Sequence, residues 1–266
     1  MAYVSADNAH VWWESTGRGS PLLLINGLSS PSASWFRLTP LLTEQHAVLT
    51  FDNPGTGRTK TSDPGFTMTT MSGAAAAVIR AAERGPAHVL GLSMGGLVAQ
   101  DLALQHPDLV ASLILVSTHA GGPHMTQDQG TLDAVARAGD LPPGERTRLL
   151  ATMAFADSTP QERIADDLAV RAAHPTTPEG YAAQLTATST WERLSDLNRI
   201  TCPTLVLHGA ADRMVSPENA RMLVTHIPRA RLVQLEGCGH SVSTDQPENA
   251  ARTVLDFLHS VDARTG

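Results

Sequence analysis

Ala87-His88-Val89-Leu90-Gly91-Leu92-Ser93-Met94-Gly95-Gly96-Leu97-Val98 decides how this chain folds. An apolar run leads into Gly-x-Ser-x-Gly and a Leu/Ala-rich run leaves it, which is the order of strand, sharp turn and helix. A turn this tight strains its central residue and leaves no room for bulk beside it. Gly91 and Gly95 provide that room, and Gly96 keeps the new helix close to the sheet. The hydroxyl of Ser93 then stands out at the top of the strand, beside a helix N-terminus that favours negative charge. By itself the pentapeptide is a weak signal in a chain with 21 glycines, since a glycine-rich turn is often only a turn. Its setting strengthens it: Gly85-Pro86 punctuates the chain before the strand, and the helix runs to Gln105 before His106-Pro107 ends it.

On the N-terminal side, Tyr3–Ser5 and His10–Glu14 read as short strands around an Asp7-Asn8 turn. Leu22-Leu23-Leu24-Ile25 is a continuous apolar run, as in a strand buried on both faces, and it ends in the loop Asn26-Gly27-Leu28-Ser29-Ser30. Trp35–Leu42 reads as a short helix, Ala47–Phe51 as a strand and Thr69–Glu83 as an Ala-rich helix. The glycines of Asp52-Asn53-Pro54-Gly55-Thr56-Gly57-Arg58 do not make a phosphate loop, because the Gly-x-x-x-x-Gly-Lys-Ser/Thr spacing is absent.

On the C-terminal side, Val110–Val116 is another buried strand. Over residues 121–190 the pattern changes to helical runs with no strand between them: Thr131–Ala138, Glu145–Phe155, Pro160–Ala173 and Pro178–Thr188. Alternation then resumes with a strand at Thr204–His208, a helix at Pro217–His226, a strand at Arg231–Leu235 and a helix at Pro247–Leu258. The reading is α/β: a mostly parallel sheet flanked by helices, built from residues 1–120 and 191–266, with 121–190 inserted as a helical layer.

Composition narrows the classes of function. With 266 residues the chain can bury a substantial core, and its net charge of -7 argues against nucleic acid or an anionic membrane as partner. Aromatic residues make up 4%, too few for a base-stacking surface. No apolar run has membrane-spanning length and no secretion signal is visible; with only two cysteines, Cys202 and Cys238, a cytoplasmic location is expected. Those cysteines fall at opposite ends of their strands and are not expected to bond. No His-Glu-x-x-His or paired Cys-x-x-Cys ligand set is present, so neither metal nor cofactor is expected. Nothing in the sequence fixes an oligomeric state.

A serine hydroxyl needs a neighbour to take its proton, and in such sheets the partners lie beyond the C-terminal strand ends. Gly237-Cys238-Gly239-His240 follows the last strand, and flanking glycines place His240 on a loop at that edge as the candidate base. Asp212, in His208-Gly209-Ala210-Ala211-Asp212, is the candidate acid, although Asp is also a common turn former. His208 reads as a structural strand-end residue. Cys238 lacks a separate base and reads as packing. The backbone N–H groups of Leu28 and Met94 are the candidate oxyanion donors.

With Gly91-Leu92-Ser93-Met94-Gly95-Gly96, His208-Gly209-x-x-Asp212, Gly237-x-Gly239-His240 and the 52–58 loop, the chain resembles the α/β-hydrolase fold family over nearly its whole length. The resemblance is greatest to its esterase, enol-lactonase, cofactor-free perhydrolase and carbon–carbon hydrolase branches. Serine at 93 sets it apart from the dehalogenase and epoxide-hydrolase branches, which use aspartate there. The resemblance implies that the helical insertion caps the site. Many relatives have His-Gly where this chain has Asn26-Gly27, and many have Arg where it has Pro54.

The expected activity is therefore hydrolysis of an ester, lactone or thioester of a small molecule through Ser93, His240 and Asp212. The alternatives are carbon–carbon cleavage or a cyclase/lyase reaction on the same residues, and a ligand receptor with residual hydrolysis. Met125, Met153, Phe155 and His119 are the candidate pocket residues. No Arg or Lys cluster flanks the strand ends, the charges of the inserted helices have helix-surface spacing, and Arg58 is expected to tie down its own loop. A neutral, apolar substrate follows.

Overall fold

The computed structural model describes residues 2–62, 65–127 and 129–263. In chain order the elements are β1 (Ala2–Ala6), β2 (Ala9–Thr16), β3 (Ser20–Ile25), α1 (Thr39–Leu42), β4 (His46–Phe51), β5 (Lys60–Thr61), α2 (Met68–Ala82), β6 (Ala87–Leu92), α3 (Met94–Gln105) and β7 (Val110–Val116). Four helices follow with no strand among the described residues between them: α4 (Gln129–Ala138), α5 (Pro143–Ala154), α6 (Gln161–Ala173) and α7 (Pro178–Thr190). β8 (Thr204–Gly209), α8 (Glu218–His226), β9 (Ala230–Leu235), α9 (Val242–Asp245) and α10 (Pro247–Asp262) complete the chain.

The strands form one sheet in the order β1-β2-β4-β3-β6-β7-β8-β9, with the short β5 paired to β2. β1, β2 and β5 run antiparallel to their neighbours, and every pairing from β4 across to β9 is parallel. The continuous apolar runs become the central strands because helices cover both faces. Alternate residues supply two cores. Leu23, Ile25, Val89, Leu113, Leu115 and Val206 pack on one side with α2, α3 and α8. Leu22, Leu24, Leu90, Ile114, Val116, Leu205 and Leu207 pack on the other, with Val254, Phe257 and Leu258 of α10.

This topology places the site. From β3 the chain winds outward to β4, then returns to β6 on β3's other side, so the strand order reverses between β3 and β6. A crevice opens beyond the C-terminal ends of strands at such a reversal. The loop after β3 carries residues 26–30, and the turn after β6 carries Ser93.

Two local expectations change. The segment read as a helix over Trp35–Leu42 is a 3-10 turn at Ser32–Trp35 followed by the single turn α1, since Pro40 cannot donate within a continuous helix. α2 starts at Met68, where Thr67 and Thr70 form a reciprocal capping box. Among the described residues no helix is long and apolar enough to cross a membrane. Cys202 and Cys238 are both free.

Candidate active site

Ser93 sits between β6 and α3 with φ 56 and ψ -122, a conformation that costs a non-glycine residue about 1–3 kcal/mol. The surroundings over-determine it. Its N–H donates to the Val116 carbonyl at 2.9 Å, and its own carbonyl accepts from Gly96 N–H and Thr118 Oγ1, each at 2.8 Å. A Cβ on Gly91 would stand 2.2 Å from the Gly95 carbonyl oxygen, and one on Gly95 would stand 2.2 Å from that of Ile25. Neither position can carry a side chain, so the two glycines are what let the chain turn here.

The loop after β3 passes directly beside this turn: a Cβ on Gly27 would lie 3.3 Å from Ser93 Cβ and 3.9 Å from Ser93 Oγ. Asn26 pins the loop from within. Its Nδ2 donates to the Pro31 carbonyl at 2.8 Å and its Oδ1 accepts from Gly27 N–H at 3.0 Å. Asn53 Nδ2 donates to the Asn26 carbonyl at 3.0 Å. Among the described residues nothing accepts from Leu28 N–H. Met94 N–H opens α3, in the first turn where a helix offers no internal acceptor. Two N–H groups are thus left open on either side of Ser93.

Asp212 and His240 meet across the ends of β8 and β9, with His240 Nδ1 2.8 Å from Asp212 Oδ2. Asp212 Oδ1 accepts from Met214 N–H at 2.8 Å and Val215 N–H at 2.9 Å. His208 Nε2 lies 3.3 Å from Asp212 Oδ2 and 2.9 Å from the Val215 carbonyl, so the residue read as structural braces the carboxylate. Burial by itself would raise the Asp212 carboxyl. The adjacent His240 and His208, with their hydrogen bonds, outweigh it and hold the group well below the usual carboxylate range. With Nδ1 on Asp212, the Nε2 of His240 remains for proton transfer. Ser93 and His240 line one cavity but are not hydrogen-bonded to each other, a contact that commonly tightens only with substrate present.

That cavity holds about 70 Å³ and is walled largely by Leu28, Leu92, Leu150, Phe155, Leu168 and Met214. Phe155 lines this cavity. The other three candidates do not line this cavity. On α5 the facing stripe is Thr147, Ala151 and Ala154, at helical spacing, and Met153 falls off it into an outer groove with Arg213 and Ser216. Met125 donates its N–H to the Gly122 carbonyl at 3.2 Å, in the chain leading to α4. His119 is buried and accepts from Gly121 N–H at 3.2 Å through Nδ1; burial pushes its pKa down to about 4, so the ring is neutral and structural.

The expected absence of positive charge is also corrected: Arg146 of α5 and Arg171 of α6 both line the Ser93 cavity. Helix-surface spacing gave their periodicity but not which face is outside, and in these helices one charged face turns inward. Arg58 behaves as expected. Its Nε meets Asp52 Oδ2 at 2.9 Å and its guanidinium lies over the Trp12 ring, away from the cavity.

Three further residues carried no signal in the sequence. Gln184 of α7 is fully buried; its Oε1 accepts from Ser29 N–H at 2.8 Å, and its Nε2 donates to the Pro54 carbonyl at 2.9 Å and to Thr56 Oγ1 at 2.8 Å. Asp245 accepts from Gly239 N–H at 2.6 Å, Ala156 N–H at 3.2 Å and Thr159 Oγ1 at 2.6 Å, holding the His240 loop to the end of α5. Arg146 is the third. Cys238 is buried beside Asp245, and burial, then the nearby carboxylates, push its thiol far above the ordinary range, where it stays protonated.

The profile of the alpha/beta hydrolase family matches residues 22–253. The chain belongs to this family. BpoC of Mycobacterium tuberculosis, named for non-heme bromoperoxidase activity, is 29% identical over 259 residues, covering 94% of this chain and 98% of that protein. RutD of Pseudomonas savastanoi pv. phaseolicola, named as a carbamate hydrolase, is 30% identical over 249 residues, 91% of this chain and 95% of that one. A thermophilic esterase from Thermogutta terrifontis superposes with a TM-score of 0.86 at 25% identity, covering 98% of both chains. The hydrolase carries, among its described residues, no group of three or more His, Cys, Asp or Glu side chains arranged to hold a metal ion.

Proposed function

We propose that this hydrolase cleaves an ester, lactone or thioester of a small molecule through a covalent acyl-enzyme on Ser93. The observation that carries the reading is the 2.8 Å contact between His240 and a doubly anchored Asp212, at the wall of the cavity that Ser93 enters. In the first half-reaction His240 Nε2 takes the Ser93 proton as Oγ adds to the carbonyl carbon. The oxyanion accepts from Leu28 and Met94 N–H, donors that are each worth about 2.7–4 kcal/mol at such sites. Collapse expels the alcohol or thiol, which leaves with the proton from His240. In the second half-reaction water adds to the acyl carbonyl by the same proton path and restores Ser93. Asp212 keeps the ring in the tautomer that leaves Nε2 free to accept. The steps use only side chains, backbone amides and water.

Residues 121–190 act as a cap over this site, with residues 1–120 and 191–266 as the catalytic core. α5 and α6 provide much of the cavity wall, and Phe155 and Met214 meet the acyl part of the substrate. The names of RutD and of the esterase point to hydrolysis of related acyl bonds.

The test is Ser93→Ala. Steady turnover of a short-chain aryl ester is expected to fall by at least about a thousandfold while the protein still folds, given the cost of losing a triad nucleophile. A fluorophosphonate should label the parent protein and not the variant. Retention of a tenth of the rate would remove Ser93 as nucleophile. A single burst without further turnover by the parent protein would make it a ligand receptor.

A further inference from the structure

Arg146 is only 2% exposed. Its Nε donates to the Ala138 carbonyl and its Nη2 to the Leu141 carbonyl, each at 3.2 Å, and the guanidinium lies 4.2 Å from the centre of the Tyr181 ring. These contacts fix the group but do not neutralise it. Among the described residues no carboxylate forms an ion pair with it, and its Nη1 is buried with no hydrogen-bond acceptor. A buried guanidinium nitrogen without a partner is costly, and in a protein with 26 acidic residues a partner could readily have been provided.

The surroundings of Arg146 add a second cation. Arg171 lines the same cavity; burial works against its charge, and Asp167 only partly offsets that without reaching ion-pair distance. Asp167 is engaged elsewhere, by Thr244 and by Arg37 at 3.5 Å. Beyond the inner cavity is a second one of about 400 Å³, and Ser29, Arg146, Thr147, Leu168 and Arg171 line both. Neither cavity has an Asp or Glu in its wall. Arg146 and Arg171 therefore both line the boundary between the chamber that holds Ser93 and a larger one behind it, and among the described residues no carboxylate reaches ion-pair distance of either.

We propose that the substrate of this site carries a carboxylate that seats on Arg146 and Arg171, so that the scissile bond belongs to a dicarboxylic acid esterified, lactonised or thioesterified at its other end. The proposal rests on the reading of Ser93 as nucleophile and adds the substrate class. A small planar carboxylate matches the guanidinium fork, and Arg146 and Arg171 both line this boundary; Arg148 also lines the outer cavity, so inorganic phosphate is the competing anion that the titration below separates. The apolar wall between Ser93 and the arginines suits the methylene chain that separates the two acyl ends.

The experiment compares hydrolysis of the 4-nitrophenyl monoesters of succinate, glutarate and adipate with neutral 4-nitrophenyl esters of matched chain length, at fixed ionic strength. Expected is at least a tenfold higher kcat/KM for one charged ester over its neutral partner. Arg171→Met should collapse that ratio toward one, and Arg146→Lys, which keeps the charge but loses the planar fork, should lower it in part. In parallel, glutarate and inorganic phosphate are titrated into Ser93→Ala protein by calorimetry. Glutarate should bind and phosphate should not, and Arg171→Met in that background should weaken glutarate at least tenfold. If neutral esters turn over in a Ser93-dependent way while charge gives no preference and glutarate does not bind, the carboxylate subsite is overturned and the hydrolase reading stands. If glutarate binds through Arg171 but no ester is cleaved, the subsite stands and the hydrolase reading falls. Tighter binding of phosphate than of glutarate would overturn the assignment to a carboxylate.

Discussion

Ser93 is held at φ 56 because the function proposed for it needs the hydroxyl at the head of a helix, and the fold bears the strain. Glycine tolerates this backbone and alanine does not, so two substitutions that both remove the hydroxyl should differ in stability. Ser93→Gly is expected to be more stable than Ser93→Ala by about 1 kcal/mol, the released strain less the added chain entropy. Equilibrium urea denaturation of the two proteins checks it, and equal midpoints would mean that the turn is not strained. The residues of this turn were legible in the sequence because their constraints are local: a close approach needs glycine wherever it occurs. Arg146 was not legible, because its burial depends on how α5 rolls against its neighbours, which no window of sequence reports.

At the scale of elements, the central strands were legible for a related reason. Burial on both faces turns a strand into an unbroken apolar run, as in Leu22–Ile25 and Val110–Val116. The inserted helices were legible as helices but not in their facing, since each packs against other helices, loops and a cavity rather than one flat sheet. Gln184 shows the consequence. It spans α7, the Leu28–Ser29 loop and the 54–56 loop with three hydrogen bonds, yet in the sequence it is one polar residue in an ordinary helix. Gln184→Leu leaves the part-buried Ser29 N–H and the buried Pro54 carbonyl without that partner, which is expected to cost about 1–3 kcal/mol of stability. Because Ser29 adjoins a proposed oxyanion donor, kcat should fall at least tenfold with KM changing less than threefold. Steady-state kinetics at a temperature where the variant is folded separate this from a merely structural loss, and Gln184→Glu should restore part of kcat, since its carboxylate can still accept from Ser29.

For the whole molecule, stability against acid follows from groups buried in one protonation state. Burial lowers the pKa of His46, His88 and His119, the last to about 4 from 6.5. In the unfolded chain these rings take up protons from about pH 6.5 downward, while the folded protein resists, so stability falls as the pH drops through that window. Asp212 adds a second loss with the same sign: its depressed carboxyl contributes stability above the unfolded value of 3.8, and the contribution disappears as pH falls below it. The thermal midpoint should therefore decline steadily from pH 7 to pH 4.5. His119→Asn can still accept from Gly121 N–H but does not titrate, and should flatten the decline by about 2 kcal/mol across the window. An unchanged slope in that variant would show that His119 is free to protonate in the folded state.

Asp245 has a consequence that reaches past its hydrogen bonds. One carboxylate receives Gly239 N–H from the loop of the proposed base, and Ala156 N–H and Thr159 Oγ1 from the chain that leaves α5. The two segments thus share a single fastening, and by thermodynamic reciprocity the coupling it provides acts equally in both directions. Amide exchange should report this as correlated protection: Asp245→Ala should speed deuterium uptake over 237–241 and 154–160 together, by similar factors. A competitive inhibitor should slow uptake in both segments of the parent protein and lose its effect on 154–160 in the variant. The proposed base would then be fully placed only while the end of α5 is docked against its loop, so that this docking would set reactivity.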